Sequence, residues 1–307
     1  MKEPYIVNNS HLGKEMDRLK LYLIFECKPY NNWRKPMETC KLDPPEHLKS
    51  FIKSYIVQVI DVETTGILIP AWTQNFIFFQ IADYSDMVMV DESVVKGRAF
   101  MMTGAMTQAT KFSGEGEKSF RAIVAELQPL ALYSLLKKDI SFLTDTSVEG
   151  SEIFTTHETI IKNLQSAGSL DDKMVIVNEF FTEIFDGVEY EPIPVVAKAI
   201  EEFQNPQDEV FQVAQFTKNF NISETHFRRL FQKSTGLTPN LYYRIKRLEH
   251  ILSELHKNPD QKYLDLLKGY VDQSHFIKDF TRFTGKKPTQ LLELFRDAGV
   301  KETFNNL

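Results

Sequence analysis

The chain has 307 residues, room for about two domains at roughly 150 residues each. Hydrophobic residues make up 42% and charged residues 25%, a globular balance that excludes a disordered chain, a collagen-like chain and a coiled-coil rod. Against 42 Asp+Glu stand 36 Lys+Arg, a net charge of −6, which taken whole argues against a nucleic-acid partner. Two cysteines, Cys27 and Cys40, are too few for a disulfide framework, so a reducing, cytoplasmic setting is expected. The first residues lack the apolar core of a signal peptide. The longest apolar stretch, Ile67 to Ala82, is broken by Thr73, Gln74 and Asn75, so no membrane span is expected.

The first part of the chain opens with Pro44-Pro45, followed by Leu48, Phe51, Ile52 and Tyr55, a spacing that predicts an amphipathic helix. Short apolar or β-branched runs then predict strands at Phe76–Ile81, Met87–Val90, Phe100–Met102, Ala109–Phe112 and Phe120–Leu127. Gly104 and Gly114-Glu-Gly116 separate them. Helices are predicted at Leu130–Lys137, Thr156–Ser166 and Asp171–Phe185. The last gathers Val177, Phe180, Phe181, Ile184 and Phe185 on one face, and this apolar surplus points to a homodimer surface. The fold class expected is α+β: a β-rich barrel or sandwich-like domain with helices over 1–190, then an all-α domain. Trp72, Phe76, Phe78, Phe79, Arg121 and Tyr133 are candidates for lining a small-effector site; the plainer alternative is that they are core residues.

No catalytic or metal-binding spacing is present. The first part has only His11, His47 and His157, with no H-x-H, H-E-x-x-H or C-x-x-C pattern. Nothing activates Cys27 or Cys40 as a thiolate. Neither G-x-G-x-x-G nor a phosphate loop of the G-x-x-x-x-G-K type occurs. No enzyme, metal or cofactor is therefore expected.

Gly187 to Pro194 holds one glycine and two prolines and reads as a connector. It also divides the charge. Residues 195–307 carry 17 basic and 14 acidic residues, a net of +3, leaving 19 and 28, a net of −9, for the rest. Two parts of opposite sign suggest two tasks.

The second part repeats itself. His226, Phe227, Phe231, Thr235, Gly236 and Pro239 recur 49 residues later as His275, Phe276, Phe280, Thr284, Gly285 and Pro288. Repetition in register means one supersecondary unit used twice. In each unit a cap, Ser223 or Asp272, precedes an apolar stripe at i, i+3, i+4 spacing. A glycine ends the helix and a proline opens the next. A shorter helix precedes each: Val213, Phe216 and Phe220 in the first, with Asn221 in the turn, and Tyr263 to Leu267 in the second, ending at Gly269. This is the helix-turn-helix plan, with units at about 211–236 and 262–285 and a linker helix at about 240–257.

These residues resemble the DNA-binding domain of AraC/XylS-type bacterial transcription regulators, in which a long helix joins two helix-turn-helix units. The family pattern S-x-x-x-F/L-x-R-x-F-x-x-x-x-G with a following proline appears as Ser223 to Pro239. The second pattern, G-F/Y-x-D-x-S-H-F, appears as Gly269 to Phe276 and runs on to Gly285 and Pro288. The resemblance covers about 195–297 within a domain 195–307. By position it implies that Thr225, His226, Arg228, Arg229, Gln232 and Lys233 of the first helix face DNA. In the second it implies Gln273, Ser274, His275, Ile277 and Lys278. Arg suits a guanine edge and Gln an adenine edge; Ile277 offers only an apolar surface for a thymine methyl. Lys233, Arg282, Lys286 and Lys287 are expected to contact phosphate, as are His226 and His275 unless they bond to backbone. The chain departs from the family at Thr217, where a small residue is usual, at Asn221 in place of the turn glycine, and at Lys268 before Gly269. The first part is similar to a sensor-like domain often found upstream of such units, on P-x-x-L-x-x-F-I-x-x-Y from Pro45 and the stretch Phe120 to Pro129. The implied function is a sequence-specific DNA-binding regulator, more often an activator, touching double-stranded DNA and RNA polymerase; a barrel or sandwich over 1–190 has room for a small effector, which the resemblance itself does not supply. The alternative is a protein-interaction module whose helix-turn-helix domain no longer binds DNA.

Overall fold

A computed structural model describes residues 20–21, 38–60, 67–82, 85–89, 92, 94–95, 99–114, 120–154, 157–204, 206, 211–257, 270 and 272–291. Its first part is built on two sheets. The larger contains β2 (Glu38–Leu42), β3 (Ile52–Ile60), β5 (Phe76–Ala82), β8 (Phe100–Thr103), β10 (Phe120–Leu127) and β11 (Ser147–Glu149). Its order is β11-β8-β5-β10-β3-β2, antiparallel throughout. The smaller has β1 (Lys20–Leu21), β4 (Ile67–Ile69), β6 (Ser85–Met89), β7 (Val94–Val95) and β9 (Thr110–Gly114), ordered β1-β4-β9-β6-β7.

Side-chain alternation assigns the two faces of the larger sheet to two uses. Tyr55 and Val57 of β3, Ile77 and Phe79 of β5, and Ile123 and Ala125 of β10 enter a core with helices α1 (Ala131–Leu136), α2 (His157–Ser166) and α3 (Leu170–Phe185). Phe79 stacks on Phe100 with centroids 5.0 Å apart and meets Phe180 edge-on at 5.6 Å. The residues between them, Ile56, Phe76, Phe78 and Val124, face the other way, toward the helical part.

Two expectations are corrected here. Leu48, Phe51, Ile52 and Tyr55 do not form a helix: a short 3-10 turn, Glu46–Leu48, leads straight into β3. Leu48 and Phe51 belong to the turn before β3 and Ile52 and Tyr55 to the strand, yet all four enter the same core, so their i, i+3, i+4 spacing imitates a helix. The apolar face of α3 is also not a free dimer surface. Val177, Phe180, Phe181 and Phe185 are buried in the sheet core, and Val175 is the exposed apolar residue of this helix. Ser169 begins α3 with a reciprocal cap, accepting from the Asp172 amide at 3.1 Å while Asp172 accepts from the Ser169 amide at 3.2 Å.

The helical part contains α4 (Pro194–Gln204), α5 (Val213–Lys218), α6 (Glu224–Thr235), α7 (Pro239–Lys257) and α8 (Gln273–Thr284). Phe203 of α4 packs against Phe231, Tyr242 and Tyr243, so α4 belongs to this helical core. Ala71, Ala105, Ala109 and Leu130 from the first part join it as well. The two parts therefore share one continuous apolar interface.

Candidate nucleic-acid interface

The two units repeat in atomic detail. α6 and α8 are each 12 residues long. Ser223 Oγ accepts from the His226 amide at 3.2 Å, and Asp272 Oδ1 accepts from the His275 amide at 2.8 Å; each satisfies an amide the helix start leaves open. The C-cap residues Gly236 and Gly285 sit at φ 82° and 72°, the left-handed region that a Cβ disfavours. The repeated threonine explains itself here. Thr235 Oγ1 donates to the Phe231 carbonyl at 2.8 Å and accepts from the Leu237 amide at 3.2 Å. Thr284 does the same with Phe280 at 2.7 Å and Lys286 at 3.2 Å. Phe227, Phe231, Phe276, Phe280 and Phe283 are all buried, and they turn the opposite helix faces outward.

Those outward faces carry most of the predicted contacts. Thr225, His226, Arg229 and Gln232 on α6 are exposed, as are Gln273, Ser274, His275 and Lys278 on α8. Arg228 and Ile277 are half-buried. One acidic residue stands among them: Glu224 pairs with Arg228 at 3.3 Å and was not anticipated, although the i, i+4 spacing signals it. His226 Nδ1 lies 3.4 Å from an Arg229 Nη atom, and the His275 ring lies 5.7 Å from Tyr270.

The predicted phosphate contacts divide. Lys287 is exposed. Lys286 is 7% exposed and is corrected: it occupies the repeat position of Leu237, also buried, so this site faces the core of the unit and not its surface. Lys233 and Arg282 are repeat equivalents, and both sit at the boundary with the first part. Lys233 lies over the Tyr133 ring at 5.8 Å, and Arg282 donates to Thr107 Oγ1 at 3.0 Å. Thr217, the departure in the leading helix, is accommodated because its hydroxyl donates to the Val213 carbonyl at 3.0 Å. Asn221 holds the turn at φ 51°, a conformation Asn tolerates. The predicted leading helix of the second unit, Tyr263 to Leu267 with Lys268 and Gly269, lies outside the described residues.

The linker helix fixes the second unit. Arg244 Nε donates to Asp279 Oδ2 at 2.7 Å, a second Arg244 nitrogen donates to Oδ1, and Asp279 is buried. Arg247 stacks on Tyr270 at 4.4 Å, and burial pushes the Tyr270 phenol up to about 12. These pairings join residues far apart in sequence.

A cavity of about 300 Å³ lies where the larger sheet faces α7. Trp72, Phe76 and Phe78 line it, as the candidate list expected; Phe79 and Tyr133 do not, and neither does Arg121. Its charged residues were missed because they come from both parts. Lys53 pairs with Glu126 at 2.7 Å and Lys246 with Glu249 at 2.6 Å, which leaves Lys41 the lining cation without a carboxylate partner among the described residues. Burial pulls the Lys246 ammonium down, but Glu249, together with Tyr242 and Glu126, outweighs it and the net shift is upward.

The family model for a helix-turn-helix domain matches residues 216–293. The helical part is an AraC-type helix-turn-helix domain. A domain of this type supports a DNA-binding transcription regulator. Solved structures with a similar outline include an apo form of ToxT from Vibrio cholerae, at 13% identity over 78% of this chain and 97% of that one, TM-score 0.45. They also include ToxT described as bound to an unsaturated fatty acid, at 13% identity over 80% and 96%, TM-score 0.43. The AraC-like transcriptional activator CuxR is similar at 13% identity over 68% and 79%, TM-score 0.26. No curated protein matches the chain. Among the described residues, no helix is long and apolar enough to cross a membrane.

Proposed function

We propose that this protein is a sequence-specific transcription activator that reads two successive major grooves with α6 and α8, its first part, 1–190, serving as an effector-responsive domain. The observation that carries the reading is the pair of identically capped helices whose polar faces are exposed at equivalent positions. The 19-residue linker helix between them is about 28 Å long at 1.5 Å per residue, a separation that suits units about 34 Å apart, one DNA turn. Arg229 and Gln273 are the leading base readers, and Lys287 and Lys278 supply charge near phosphate. The family resemblance supports activation through RNA polymerase in the cytoplasm.

The cavity supports a small effector. Its walls are largely aromatic and aliphatic, two of its lysines are neutralised by glutamates, and Lys41 adds one positive charge. That composition fits a mainly apolar molecule with one anionic group.

The test is fluorescence anisotropy with a duplex selected in vitro on the full chain. Arg228→Ala and Arg229→Ala should each weaken specific binding by about 1–3 kcal/mol, and log K should fall with log salt at a slope of several units. A flat salt dependence, or no loss in the double variant, would reject DNA reading and favour the protein-interaction module.

A further inference from the structure

The first part grips both recognition helices at the same repeat position. The Ile140 amide donates to the Lys233 carbonyl at 3.0 Å, and the Ala109 amide donates to the Arg282 carbonyl at 3.1 Å; these carbonyls are 49 residues apart. Each grip has a second point. Thr144 Oγ1 donates to the Gly236 carbonyl at 2.8 Å, and the Ala71 amide donates to the Phe283 carbonyl at 2.7 Å. Both attach to the C-terminal ends of the helices and leave their N-terminal halves open.

The two grips differ in how directly they meet the cavity: the first reaches segment 104–107 only through Asp145, which donates its amide to the Ala105 carbonyl at 3.0 Å and accepts from Thr107. Ile140 to Thr144 contribute nothing to the wall of the 300 Å³ cavity, and neither does α6. Pro70, Ala71 and Trp72 are themselves part of that wall. Trp72 is then tied to the other half of the same grip. It exchanges two backbone hydrogen bonds with Met106, each 3.0 Å, and its indole N–H donates to the Gly104 carbonyl at 3.0 Å. A molecule that displaces the Trp72 wall must move Ala71, Met106, or both, and these flank the contacts to Phe283 and Arg282.

We propose that the cavity is coupled more directly to the second helix-turn-helix unit than to the first: segment 70–72 is both effector wall and α8 anchor, so effector occupancy alters reading of the second half-site more than that of the first. This rests on the effector reading above, and the experiment separates the two. The probe is 8-anilinonaphthalene-1-sulfonate, an apolar ring system with one anionic group, titrated into the full chain. Lys41→Glu should weaken its binding several-fold; absence of probe binding, or binding indifferent to Lys41, would reject the cavity reading and the coupling with it. The probe's Kd is then measured with saturating duplexes whose occupancy is checked by anisotropy. Linkage is reciprocal, so the intact duplex should shift the Kd by about fivefold or more. Scrambling the half-site read by Gln273 should remove most of the shift, and scrambling the half-site read by Arg229 should remove much less of it. Equal effects of the two half-sites, or no shift with the intact duplex bound, would overturn the proposal. Ala109→Pro, which removes the amide donated to Arg282 and lies outside the cavity wall, should abolish the shift while probe and DNA still bind separately. Arg282→Met, which removes the donor to Thr107 and leaves the Thr107–Asp145 bond in place, is the milder variant should Ala109→Pro not fold, and it should reduce the shift. An undiminished shift in a folded variant also counts against the proposal.

Discussion

Removing Asp279 tests how the linker helix holds the second recognition helix. Asp279 is 4% exposed and accepts two hydrogen bonds from Arg244, whose side chain is 35% exposed and lies 5.5 Å from the Phe283 ring. Truncating one partner of a buried pair costs about 3–5 kcal/mol, because the remaining charge stays desolvated. Arg244 can reach water, so Asp279→Ala should fall at the lower end, about 3 kcal/mol. Replacing both residues, Arg244→Met with Asp279→Leu, should be close to neutral, since apolar packing then substitutes for the pair. Equilibrium urea unfolding of the full chain reads both, and a slope of about 3 kcal/mol per molar turns the single-variant loss into a midpoint shift of about 1 M. The double-mutant cycle gives the coupling directly. A loss under about 1 kcal/mol in Asp279→Ala, or a double variant no more stable than the single one, would refute the assignment of this pair as a buried tie.

Three further outcomes follow from the geometry. Ser223→Ala and Asp272→Ala should each cost about 1 kcal/mol of stability by urea unfolding, the value of a helix cap; losses of a few tenths would deny the capping role. Gly236→Ala should cost about 1 kcal/mol for its left-handed backbone, plus the displacement of Thr144, whose Oγ1 would lie 2.8 Å from the new Cβ. The same change in a Thr144→Ala background should therefore be milder, and an equal loss in both backgrounds would disprove that contact. The Tyr270 phenol, held at about 12 in the folded chain against about 10 when unfolded, supports stability that is complete below pH 10 and is lost between pH 10 and 12. Tyr270→Phe should flatten the alkaline loss, and an unchanged pH profile would contradict it.

The double unit was legible because the same local jobs recur at a fixed offset. The cap at Ser223 and Asp272, the threonine at 235 and 284, and the left-handed glycine each serve their own helix end, so sequence alone exposes them. β3 was misread because the turn residues Leu48 and Phe51 enter the same core as Ile52 and Tyr55 of the strand, a spacing that matches a helix face. Lys286 was misread because its charge suggested a surface, whereas its equivalence to Leu237 pointed inward. The cavity and the Arg244–Asp279 tie were not legible at all. They join residues from 41 to 252 and from 244 to 279 through tertiary packing, which no local period encodes. The one partial signal was the alternation in β5, where Phe76 and Phe78 share a face that Ile77 and Phe79 do not.

Main-chain docking has an evolutionary consequence. The first part takes hold of α6 and α8 chiefly through carbonyl oxygens, which every residue type possesses. Side chains at 225, 229, 273 and 278 can therefore drift to suit a new operator while the attachment to the regulatory half stays intact. Target choice and responsiveness are thus inherited separately within one polypeptide.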